Sequence, residues 1–228
     1  MKLAWQSAVI LLWAAPLGRG LCAQQLPASP DSMQLRGVEL RYLLPEPLFD
    51  NVFPEPIKAL YVNAWAFGSS KLAYLVNLAD STEINALVID VKDDTGCLLY
   101  PSDVKVAQDI GATKCVRTRD VRSRLDTLRA HDIYAIARIV VAKDPLLAEH
   151  KPRWSVQHRD GGLWRDRIGS AWVDAYNDSV WIYAAQLAEE AVRLGFDAVQ
   201  FDYVRFPDEP KQAMALAIFP SRRAGETQ

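Results

Sequence analysis

Ala86-Leu87-Val88-Ile89-Asp90-Val91-Lys92 decides how this chain is read. Apolar residues occupy both alternating sets of positions, so neither face of a strand here is built for water. Such strands belong in a parallel sheet covered by other layers. Residues 59–64, 134–141 and 198–206 share the pattern, and the stretches between them have helical spacing. Over 71–81, Leu72, Leu75, Val76 and Ala79 fall on one face. Over 118–131, Val121, Leu125 and Leu128 do the same. Residues 178–194 form a long amphipathic stretch, and Gly195 is well placed to stop it. This β-α alternation predicts an α/β domain, either a doubly wound sheet or a (β/α) barrel. No glycine-rich dinucleotide turn or phosphate-binding loop follows a strand, which weighs against nucleotide binding.

Alternate residues of a strand face opposite sides. One set pairs Val88 with Asp90 and Lys92, Ile136 with Arg138 and Val140, and Gln200 with Asp202 and Val204. The other set (Leu87, Ile89, Val91; Ala135, Ala137, Ile139; Val199, Phe201, Tyr203) suits packing under helices. Asn63 stands near the end of the first strand. The polar set predicts Asp90, Lys92, Arg138 and Asp202 converging at the C-terminal mouth, where barrels build their active sites. An ion-pair network that only fixes strand register would use the same residues. Asp93 and Asp94 follow the second strand and read as a solvated turn. Trp65, Trp154, Trp164 and Trp172 lie in segments around the mouth. Each has two readings, a platform for sugar C–H faces and ordinary packing.

Half of the 228 residues are hydrophobic, enough to bury a core. The formal charge of −2, with no basic cluster standing out, argues against a nucleic-acid partner. The three histidines have no metal-ligand spacing. No metal and no cofactor are predicted. Residues 1–23 have the layout of a secretory signal peptide, with Lys2, an apolar stretch to Leu17 and small residues before Gln24. An uncleaved N-terminal anchor is the alternative. A periplasmic or secreted location is the expectation. Cys97 and Cys115 then have two readings, a disulfide or two buried thiols. Residues 24–56 read as a linker and an irregular leading segment.

Three motifs in order resemble the bacterial glycosyl hydrolase domain family DUF4015. They are 84–96 (INALVIDVKDDTG), 137–145 (ARIVVAKDP) and 195–207 (GFDAVQFDYVRFP). The resemblance spans about 36–208. It implies a TIM-barrel glycosidase acting on a carbohydrate, with Asp202 at the end of the fourth strand as the carboxylate nucleophile. Arg205 would be an orienting cation. Asp90, Lys92, Asp93, Arg138, Gln200 and Trp65 would contact substrate or hold Asp202.

Retaining hydrolysis also needs a second carboxyl group about 5–5.5 Å from the first. In related barrels it comes from a later strand, and only four strands are legible here. The expectation is therefore a partial barrel over 57–208, truncated to its first four β/α units, with an irregular tail over 209–228. Its fourth strand would leave an open edge suited to self-association. A non-catalytic secreted carbohydrate-binding or envelope scaffold protein is the competing function.

Overall fold

The computed structural model describes residues 53–226. The expected signal peptide and most of the linker lie outside them. In chain order the elements are β1 (Ala59–Val62), α1 (Ala64–Phe67), α2 (Lys71–Asp80), β2 (Ala86–Lys92), α3 (Lys105–Asp109), α4 (Val121–Ala130), β3 (Tyr134–Val140) and α5 (Pro145–His150). Then come β4 (Gln157–His158), α6 (Asp178–Leu194), β5 (Ala198–Asp202), α7 (Lys211–Met214) and β6 (Ala217–Ile218).

β1, β2, β3 and β5 form one parallel sheet in that order. The sheet is singly wound. Leu87, Ile89, Val91, Ala135, Ala137 and Ile139 bury themselves against the apolar stripes of α2, α4 and α6 in the main core. The other face carries only a small cluster, Ala86, Ile136 and Ala198, flanked by Ile57, Val88 and Tyr134. A doubly wound sheet would cover both faces with helices. Here the described residues cover one, so the doubly wound alternative falls. The four strands do not close into a barrel, and β5 pairs only with β3 among the described residues.

The helices stop and start where side chains satisfy free backbone groups. Asn177 accepts from Ser179 N at 3.0 Å to begin α6, and Gly195 ends it in the left-handed region at φ 116°. The strand read over 198–206 is shorter, because Tyr203 turns to φ 53° and ends the ladder at Asp202. For a bulky aromatic residue that conformation is uncommon and strained.

The irregular tail expected over 209–228 is instead a docked segment as far as residue 226. β6 pairs antiparallel with β4, Trp164 Nε1 donates to Ala213 O at 3.1 Å, and Phe219 packs edge-on to Tyr176 and Phe206. Ser221 N donates to the buried Asp174 carboxylate at 2.7 Å. These partners lie far away in sequence, which is why short-range periodicity did not reveal them. No helix among the described residues is long and apolar enough to cross a membrane.

Cys97 and Cys115 are joined in a disulfide, with Cα atoms 5.8 Å apart and a sequence separation of 18. The bond ties down the long connection between β2 and α4. Closing a loop of this length removes unfolded-state entropy worth about 3 kcal/mol. Cys115→Ser is expected to lower unfolding stability by about that amount. Urea titration of the oxidised protein and the variant checks it, and equal midpoints would refute it.

Candidate active site

The register places Asp90 opposite Arg138 and Arg138 opposite Gln200, with Asp202 one residue pair further on, beside Val140. All four polar residues face away from the helices, at the C-terminal end of the sheet. Arg138 organises them. Its Nη1 donates to Asp90 Oδ1 at 2.5 Å. Its Nε and Nη2 both reach Asp202 Oδ2, at 2.8 and 2.6 Å. One planar guanidinium thus holds two carboxylates on separate edges, a geometry lysine cannot provide. Gln200 stands half-buried beside it.

Asp90 is buried and Asp202 is the exposed member, its side chain 30 % accessible against 4 % for Asp90. The remaining Asp202 oxygen, Oδ1, accepts from Tyr203 N at 2.6 Å. The left-handed turn at Tyr203 sits directly beside this carboxylate and helps fix its orientation. Tyr61, exposed on the edge strand β1, donates its hydroxyl to Asp90 Oδ2. Burial pushes the Asp90 carboxyl above its ordinary value, against the pull of the Tyr61 hydroxyl and of Arg138. Burial and then Asp90 push the Tyr61 phenol up. For Arg138, burial acts downward, but Asp90 and then Asp202 outweigh it and hold the guanidinium above its usual value.

Four of the expected site residues lie elsewhere. Lys92 does not face the mouth. The register shifts between Asp90 and Lys92, so Lys92 comes opposite Ile139, which packs against the helices. There Lys92 lies 2.8 Å from Asp144 Oδ2 and donates to Val140 O at 2.5 Å, with the Tyr183 ring of α6 at 5.8 Å. A bulge reverses which face a side chain takes, and strict alternation cannot foresee it.

Asp93 is consumed by its own turn, accepting from Thr95 N, Thr95 Oγ1 and Cys97 N. Arg205 lies over the Trp172 and Tyr203 rings, at 5.4 and 5.0 Å, and donates to Phe206 O; it is not the cation on Asp202. Trp65 lies on α1, 67 % exposed, stacked on Arg117. Asn63 caps α1 by accepting from Ala66 N at 2.9 Å. Trp164 and Trp172 are buried, which settles them as packing residues.

Sequence reasoning missed Tyr61 and Tyr203. Alternation back from Asn63 puts Tyr61 on the mouth face, and the register aligns it with Val88. The Tyr203 turn left no signal, because a tyrosine after an apolar run predicts more strand.

Arg138→Met is expected to cost about 2–3 kcal/mol, less than a fully buried pair would, because Asp202 is partly solvated and Asp90 takes a proton readily. Adding Asp90→Asn should recover part of the loss in a denaturation experiment. A double variant less stable than the single would show that Arg138 is not what compensates the Asp90 charge.

A singly wound parallel sheet with a carboxylate–guanidinium–carboxylate cluster at its C-terminal strand ends defines an α/β domain with barrel-type strand order. The chain belongs to the family described as "Putative glycosyl hydrolase domain" (DUF4015), whose profile matches residues 59–226. A crystal structure of a hypothetical protein from Ruminiclostridium thermocellum ATCC 27405 is similar at 43 % identity and TM-score 0.62, over 65 % of this chain and 78 % of that one. Alpha-L-fucosidase isoenzyme 2 from Paenibacillus thiaminolyticus shares the fold at 14 % identity and TM-score 0.50, over 69 % of this chain. The chain spans 25 % of the length of that enzyme. No curated protein matches.

Proposed function

We propose that this domain is the first half of a (β/α) barrel glycoside hydrolase acting on a polysaccharide outside the cytoplasm, with Asp202 as its nucleophilic carboxylate. The observation that carries the reading is the Arg138 bridge. It presents one buried and one accessible carboxylate at the strand ends, where barrels place their chemistry. Asp202 has the accessibility a nucleophile needs, and Arg138 and the Tyr203 N–H hold it in one orientation. Asp90 and Tyr61 act behind Arg138 as positioning residues, and Gln200 lies within the same row to contact sugar hydroxyls.

The strand order, the helices on one face and the sparsely covered inner face all fit barrel strands one to four. Further strands would continue from the open side of β5. They would also bring the acid that protonates the leaving group, since Asp90 is buried and already engaged by Tyr61 and Arg138.

A second reading has its own support. Both oxygens of Asp202 are engaged, so the mouth as described is also suited to holding sugars without cleaving them. A glycan panel, run on the domain together with the strands that complete its barrel and scored separately for binding and for released reducing ends, distinguishes the two. Hydrolysis that disappears in Asp202→Asn supports the enzyme. Binding with no hydrolysis, unchanged by Asp202→Asn, supports the binding module.

A further inference from the structure

The end of the β2–α4 connection and the start of α4 contain Lys114, Arg117, Arg119, Arg122 and Arg124 within eleven residues. The sequence reading saw no basic cluster here, because a cysteine, hydroxyl and apolar residues and an aspartate interrupt the run. Folding sorts these cations. Arg124 turns inward, pairing with Asp120 and donating to Phe67 O and Ser69 O. Lys114, Arg117 and Arg119 instead line one surface groove with Thr113, Val116 and Thr118. None of the three forms an ion pair among the described residues. The nearby Asp120 is engaged by Thr118 Oγ1 and Arg124.

The groove is held in shape from several sides. The Cys97 disulfide anchors Cys115, and Arg117 N and Thr118 N both donate to Leu99 O. Gly68 passes so close that a Cβ there would lie 2.5 Å from Arg117 O. Arg117 in turn lies over the Trp65 ring, 3.7 Å from its centroid, while the indole remains 67 % exposed. Three cations on a braced backbone, none of them ion-paired among the described residues, beside an exposed indole select a ligand that is both anionic and sugar-like. Guanidinium forks match carboxylates, and an indole covers the C–H face of a pyranose. A neutral glycan would leave the cations unused. A nucleic acid would call for a longer basic track than three residues on a chain of net charge −2.

We propose that this groove is a subsite for a carboxylate-bearing glycan, a uronic-acid chain, at the rim of the sheet. α1 and the β2–α4 connection follow the C-terminal ends of β1 and β2, so the groove shares its end of the sheet with Asp90. The inference rests on the carbohydrate reading for its choice of a sugar, but not on hydrolysis by Asp202.

Calorimetric titration of the full chain with oligogalacturonate, neutral cello-oligosaccharide of equal length and a thymidine oligonucleotide tests it. Oligogalacturonate is expected to bind selectively, more weakly as salt rises. Lys114→Gln combined with Arg119→Gln, both on exposed side chains, should weaken binding at least tenfold, and Trp65→Ala should weaken it too. Asp202→Asn should leave it unchanged, which separates this inference from the nucleophile assignment. No oligogalacturonate binding, equal binding of the neutral sugar or the oligonucleotide, or an unaffected double variant would each overturn it.

Discussion

Lys92→Met is expected to destabilise the domain by about 3–5 kcal/mol, the cost of leaving one member of a buried ion pair unpaired. Lys92 and Asp144 have side chains 2 % and 0 % accessible, so water cannot replace the lost partner. The ammonium also donates to Val140 O, which loses that donor. Asp144 is not free to leave, because its Oδ1 accepts from Leu147 N at 2.8 Å and caps α5. The stranded carboxylate must therefore be neutralised in place or remain charged in an apolar environment. Adding Asp144→Asn should recover much of the loss, since an amide oxygen keeps the cap and removes the charge. Urea denaturation of the two variants measures both effects. A single variant within about 1 kcal/mol of the parent would mean that Lys92 is not buried against Asp144.

With the barrel completed, Asp202→Asn is expected to lower hydrolysis by a factor of roughly 10³ or more while leaving the fold intact, as for loss of a nucleophile elsewhere. The amide is isosteric, but its single oxygen can accept from Tyr203 N or from Arg138 and not from both, so one of these donors loses its acceptor. The partial solvent access of Asp202 limits the stability cost to about 1 kcal/mol. A melting temperature lowered by no more than about 4 °C with lost turnover would place the effect on chemistry. Undiminished turnover would remove Asp202 from the reaction and leave Arg138 as a structural bridge.

The two substitutions probe opposite sides of one sheet, although the sequence puts both residues on the same alternating face. The difference is a single register shift after Asp90. Arg138 and Asp202 follow the alternation because β3 and β5 are paired without interruption from Ile136 to Val140. The same contrast separates Arg138 from Arg205. Both are arginines near Asp202, but Arg138 lies within the ladder while Arg205 lies beyond the Tyr203 turn and stacks on aromatic rings.

From the sequence alone follow the parallel α/β class, the four strands, the three long helices and the pairing of Asp90, Arg138 and Asp202 on one face. These depend on periodicity and on local capping, which neighbouring residues determine. Tertiary structure alone decided the inward turn of Lys92, the docking of residues 211–221, the Cys97–Cys115 bond and the cationic groove beside Trp65. Each depends on partners tens of residues apart or on one local break in register, and no pattern of short-range repeats encodes those distances.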